Sequence, residues 1–270
     1  MVSLLAAAAI AAATPLAAPI GAGPAAPSAA ATEPAMFVVH DGDTTVYLFG
    51  TFHALDGHSQ WFDKGVRTAF EQSAELVLET LIPEGPVMPA QLGRAFRPPS
   101  VTPSASFLAT TKMAISAGQS QGMQVNNGAD MVLRHTAELE GKPVAGLETL
   151  EFQLNMFNRM PAAEAPPAPK RGADAPPMES LSKSMAEMQS AWKSGDQHVF
   201  VRMLDELNKG SPETYRMMFT DRNARWADWI AARMQAPGTV FVAVGAGHLA
   251  GKDSVLVRLA EKGIESERVY

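Results

Sequence analysis

Two tetrapeptides in this chain share one spacing, Gly50-Thr51-Phe52-His53 and Gly245-Ala246-Gly247-His248. Each reads Gly-x-x-His and closes a short apolar run, Thr45-Val46-Tyr47-Leu48-Phe49 in the first case and Thr239-Val240-Phe241-Val242-Ala243-Val244 in the second. Runs of this length and β-branched content read as buried strands. A lone histidine after a strand is an ordinary loop residue. Two of them, each behind a glycine that permits a tight turn or close backbone approach, point to one cleft, because ligands of open α/β sheets collect at the carboxyl ends of strands. Imidazole can act there as a base or as a metal ligand. Two acids hold comparable positions: Glu79 ends Leu76-Val77-Leu78-Glu79, and Glu148 ends Val144-Ala145-Gly146-Leu147-Glu148. A strand-end acid is usually just solvated, but at this edge its carboxylate could reach the same cleft. Arg222-Asn223, followed by Trp226 and Trp229, adds a guanidinium that bulky rings could hold rigidly enough to bind an oxyanion.

The elements that would position these groups follow from pattern. Met36 to His40, a turn at Asp41-Gly42-Asp43 and the strand leading to the first motif make a hairpin. In Trp61 to Ser73 the apolar residues Trp61, Phe62, Val66, Ala69 and Phe70 recur at helical spacing, and Ala74 to Glu79 is a strand, so a β-α-β unit with parallel pairing is expected. A helix over Met131 to Leu139, a turn at Gly141-Lys142-Pro143 and the strand ending at Glu148 come next. Pro161 to Pro177 is rich in Pro and Ala without periodicity, which predicts a mobile surface insertion at about 161–178. Helices resume near Met178 with Met185, Met188, Trp192, Val199, Phe200 and Met203 as a core-facing stripe. A helix over Pro212 to Met234, the second motif strand, a helix over Ser254 to Lys262 and an edge strand over Glu265 to Tyr270 complete the chain.

Composition narrows the functions. With 270 residues, one domain over 35–270 is expected after a leader at 1–34. The net charge of -6 and the lack of a basic cluster with interleaved aromatics argue against a nucleic-acid partner. The chain has no cysteine, so any metal would rest on His and carboxylate ligands. The Ala-rich apolar start followed by Pro and Ala resembles a secretory leader, but no Lys or Arg precedes it, so a flexible low-complexity extension is the alternative; the expectation is a periplasmic or secreted protein with no integral membrane segment. His40, His58, His135 and His198 fall in turns or on helix surfaces and are expected to be structural, His58 being the nearest to the first motif.

With these residues assembled, the chain resembles the TraB/GumN family. The resemblance is carried in order by Tyr47 to His53, Leu76 to Glu79, Gly146-Leu147-Glu148-Thr149 with Gln153, Ala191 to Asp196, Arg222 to Trp226 and Val244 to Leu249. It spans about Phe37 to the C-terminus and implies a compact α/β (α+β) domain with a mixed, largely parallel sheet flanked by helices, related to erythromycin esterase and ChaN-like folds. Family relatives include metal-dependent proteases and a protein that dampens a peptide pheromone. The resemblance thus implies a metallopeptidase-like hydrolase acting on a peptide or small molecule. No His-Glu-x-x-His helix is present, so the metal requirement stays open.

Three schemes use these residues. In the first, His53 and His248 with Glu79 or Glu148 hold a divalent Mn, Co or Zn ion that lowers the pKa of bound water towards about 7, the remaining carboxylate takes its proton and Arg222 steadies the oxyanion, with Asn223 beside it a further candidate catalytic residue. In the second, a His-Glu pair activates water without a metal. In the third, the histidines bind a metal or haem, or the domain binds a peptide, without catalysis.

Overall fold

The computed structural model describes residues 33–58, 60–81, 112, 116–160 and 177–269, so the expected leader and the Pro/Ala-rich insertion lie almost wholly outside the described residues. Strands β1 (Met36–His40) and β2 (Thr44–Thr51) form the expected hairpin. Its turn is closed by the Asp41 carboxylate, which accepts the backbone N–H of Asp43 at 3.1 Å and of Thr44 at 2.9 Å, the usual device of an Asx turn. The chain continues through α1 (Lys64–Gln72), β3 (Glu75–Thr80), α2 (Ala129–Leu139), β4 (Val144–Glu148), α3 (Leu150–Arg159), α4 (Pro177–Lys193), α5 (His198–Gly210) and α6 (Pro212–Tyr215). It ends with α7 (Asp221–Arg233), β5 (Gly238–Gly245), α8 (Val255–Ala260) and the two-residue β6 (Glu267–Arg268).

The six strands make one sheet in the order β4-β3-β5-β2-β1-β6, in which β4, β3, β5 and β2 run parallel while β1 pairs antiparallel with β2 and β6. The fold is therefore the expected α/β arrangement. Strand alternation sorts the core into two layers. Phe49, Leu76, Leu78, Phe241 and Ala243 pack on one face with α1, α2, α4 and α5, whereas Leu48, Val77, Val240, Val242 and Val244 pack on the other with α7 and α8. The chain leaves β3 for α2 and the outer strand β4, but leaves β5 for α8 and the opposite edge. These neighbouring strands thus diverge at their carboxyl ends, the switch point where α/β sheets carry ligands.

Three local expectations change. Helix α1 begins at Lys64 rather than Trp61; Trp61 is buried before the helix by stacking on Phe49, with ring centroids 5.5 Å apart. The final strand shrinks to Glu267–Arg268, because only Phe37 and Val38 face it on β1. Helix α3 was not signalled by periodicity, although Thr149 caps it by accepting the Phe152 N–H at 3.1 Å. The Met and Trp stripe behaves as predicted: Met185, Met188, Trp192 and Phe200 are buried. Among the described residues no helix is long and apolar enough to cross a membrane.

Candidate functional site

The four parallel strands deliver His53, Glu79, Glu148 and His248 to one edge of the sheet, as their spacing implied. The fifth group comes from below. Between α6 and α7 the residues Arg216–Thr220 form a π-helical turn, with the Asp221 N–H bonded to the Arg216 carbonyl five residues back. Such turns widen a helix and re-aim its side chains, often at functional sites. Here Arg222 and Asn223, in the first turn of α7, are each 1% exposed and reach the strand ends.

Arg222 is the hub. Its Nε donates to both oxygens of Glu148 at 3.1 and 3.0 Å, its Nη2 to Glu79 Oε2 at 2.7 Å, and its Nη1 to the Met218 carbonyl at 3.3 Å. The guanidinium also lies 4.5 Å over the Trp226 ring, the expected aromatic support. Glu148 takes a second cation, Arg225, at 3.1 Å. Two carboxylates are thus met by two guanidiniums, the buried Arg222 and the half-exposed Arg225, so neither carboxylate stands without a cation.

Glu79 is held from both sides. Its Oε1 accepts the Gly245 N–H at 2.7 Å while its Oε2 takes Arg222. Burial disfavours its charge, but Arg222 chiefly, together with the backbone N–H, keeps its pKa far below the ordinary carboxylate value, so it stays ionised at neutral pH.

His248 has a fixed tautomer. The Asn223 amide nitrogen donates to the Asp253 carbonyl at 2.7 Å, which turns the Asn223 oxygen toward His248 Nδ1 at 2.6 Å. Nδ1 therefore carries the proton, and Nε2 accepts from Arg222 Nη1 at 3.2 Å. Burial, aided by the Arg222 charge, pushes the His248 pKa down to about 3, in keeping with a neutral ring. The imidazole is packed against Phe219 and Trp226, with centroids 4.8 and 4.5 Å away.

His53 is different. Its Nδ1 lies 3.3 Å from Asp130 Oδ1, in the first turn of α2, and neither atom has an aligned hydrogen-bond partner among the described residues. Gly128 makes this placement possible: a Cβ there would come within 2.3 Å of the His53 carbonyl oxygen, so only glycine lets α2 start so close. Burial alone would lower the His53 pKa, but Asp130 and then Glu79 outweigh it and hold the pKa above the ordinary value. On its other side, Nε2 borders the space above Gly245, where a Cβ would meet Glu79 Oε1 at 3.2 Å, His53 Nε2 at 3.3 Å and His248 Cδ2 at 3.6 Å. The missing side chain of this motif glycine, which has φ of -52°, serves a close approach rather than a left-handed turn.

All six residues singled out in the sequence thus meet at this edge. Arg222 spends its donors on Glu79, Glu148, His248 and the Met218 carbonyl. Asn223 meets His248 Nδ1 through its amide oxygen. Among the described residues no group of three or more His, Asp or Glu is placed to hold a metal ion, and a guanidinium nitrogen stands at the His248 Nε2 that a cation would need. The residues in this arrangement therefore do not fit the expected Mn, Co or Zn centre. Asp130 was not anticipated; its only signal was an acid at the start of a helix, ordinarily a partner of the helix dipole. His40, His58, His135 and His198 are all exposed.

A family model described as TraB/PrgY/gumN matches the chain over residues 35–108 and 100–268, nearly the whole of the described domain. No curated protein and no solved structure matches it.

Proposed function

The chain belongs to the TraB/PrgY/gumN family, and from that premise we propose that it is a hydrolase that works without a metal ion, with His53 as the base that activates water. The observation that carries this reading is the contrast between the two motif histidines. His248 has both ring nitrogens engaged inside the protein, whereas His53 is backed by Asp130 at Nδ1 and sets Nε2 beside Gly245 and Glu79. A water hydrogen-bonded to Nε2 gives it a proton as its oxygen attacks an acyl carbon, and His53 returns the proton to the leaving nitrogen or oxygen. Asp130 and the fixed negative charge of Glu79 stabilise the imidazolium formed between these steps. Arg222, Asn223 and His248 act by keeping Glu79 ionised and in place.

General-base catalysis of this type contributes about 100- to 10,000-fold. His53→Gln is therefore expected to lower hydrolysis of a chromogenic acyl ester, or of a quenched fluorescent peptide mixture, by at least about 100-fold. Its thermal midpoint should stay near wild type, and wild-type turnover should survive prolonged chelation. Activity lost to a chelator and restored by one specific metal would instead favour a metallopeptidase. A soluble, folded protein with no turnover under any condition would favour a binding role.

A further inference from the structure

Resting on that reading for its effect on turnover, we propose that Asp253 is a positioning residue, which clamps the π-helical turn from both sides and so holds Asn223 and Arg222 against His248 and Glu79. Asp253 lies in the turn between His248 and α8, just before Ser254, whose hydroxyl caps that helix by accepting the Val257 N–H at 3.3 Å. Its carboxylate accepts the Tyr215 hydroxyl at 3.0 Å through one oxygen and Arg258 Nη2 at 2.6 Å through the other. Its main-chain carbonyl accepts the Asn223 side-chain amide at 2.7 Å. Tyr215 is the last residue before the π-helical turn, and Asn223 stands in the first turn after it. One residue therefore grips the helix on both sides of its irregularity.

Helix geometry shows why the grip matters. Side chains advance by about 100° per residue in an α-helix, so two residues eight apart, as Tyr215 and Asn223 are, would point about 80° apart. A π-helical turn takes up one extra residue, and the pair then behaves like i and i+7, about 20° apart and on one face. Both side chains reach Asp253 for this reason. Straightening the turn into regular α-helix would swing Asn223, and Arg222 beside it, by about 100° away from the strand ends. Since π-helical turns are uncommon in themselves, contacts from outside the helix decide whether this one persists. The anchors are well placed for that. Tyr215 is buried, and burial, then Asp253, raise its pKa, so the hydroxyl keeps the proton it donates. Arg258 supplies the opposite charge to a carboxylate that is mostly withdrawn from water. From Asp253 the constraint passes to Asn223, from Asn223 Oδ1 to His248 Nδ1 at 2.6 Å, and through Arg222 to Glu79.

Asp253→Asn keeps the size of the side chain but presents one acceptor oxygen to two donors, so one anchor is lost. It is expected to lower kcat for p-nitrophenyl acetate by about 10- to 100-fold with KM within about twofold of wild type, since a misplacement of about 1 Å at a site can cost about 100-fold. The readout that a merely structural role would not move is the His248 tautomer, followed by nitrogen NMR of isotope-labelled histidine near neutral pH. Wild type should carry the His248 proton on Nδ1 alone, and Asp253→Asn should give a mixture of the two neutral tautomers. Asn223→Ala should do the same, and adding Asp253→Asn to it should change nothing further, because the two residues act in one line. Tyr215→Phe removes a single anchor and should show the same changes at smaller size; it carries the test if Asp253→Asn does not fold. If wild type turns nothing over, the tautomer alone decides, and a shift in the variants keeps the clamp while the hydrolase reading falls. A His248 tautomer unchanged in Asp253→Asn and Tyr215→Phe, or losses that simply add in the double variant, would overturn the assignment. So would variants that lose several degrees of stability with tautomer and kcat intact.

Discussion

His53 and His248 occupy the same place in the same motif, and the chain puts them in opposite states. The motif spacing made both visible, but the difference arises from partners on other elements: Asp130 for one, Asn223 and Arg222 for the other. No spacing within either motif encodes that. The consequence for stability has a definite sign. His248 titrates near 3 when folded and near its ordinary value of about 6.5 when unfolded, so the unfolded chain takes up the proton first as pH falls. Its contribution is complete above about pH 6.5 and is lost below it, by about 1.4 kcal/mol per unit. Glu79 acts only at lower pH, where carboxylates protonate. His53, raised when folded, weakens stability only as pH climbs past 6.5. Urea unfolding between pH 6.5 and 5 should therefore show a slope due to His248 that His248→Gln flattens; a variant with the wild-type slope would contradict the neutral buried ring.

At the scale of elements, the π-helical turn ahead of α7 and the glycine ahead of α2 bring functional groups to the strand ends. Neither was legible. A π-turn has no apolar period of its own, and Gly128 reads as a simple boundary before a helix. The strands were legible because both faces of the sheet are covered, which demands continuous apolar runs. Arg222 shows what the helix contributes. With its side chain removed, Glu79 and Glu148 are left buried without their main cation, and breaking such a cluster from one side costs about 3–5 kcal/mol. Arg222→Met is expected to lose that much in urea unfolding, and adding Glu79→Gln and Glu148→Gln should recover most of it. If the single variant unfolds within 1 kcal/mol of wild type, or the triple variant recovers nothing, the charge cluster is not what holds this edge.

Across the whole molecule, the strand order converts residues spread from His53 to His248 into one site. The β-α-β pattern implied parallel strands, and the parallel strands put all four ends on one side. What pattern could not give was the insertion of β5 between β2 and β3, which makes Gly245 central and sets Glu79, His53 and His248 close about it. The central claim, that His53 is the working base and Asp130 sets its proton affinity, is tested most directly by measuring the His53 pKa from its ring NMR signal alongside the pH dependence of turnover, in wild type and in Asp130→Asn. The account predicts a rate that rises with pH through a midpoint above about 6.5 and equal to the His53 pKa, both falling together in the variant. A rate midpoint that differs from the His53 pKa, or stays in place while that pKa moves, would contradict it.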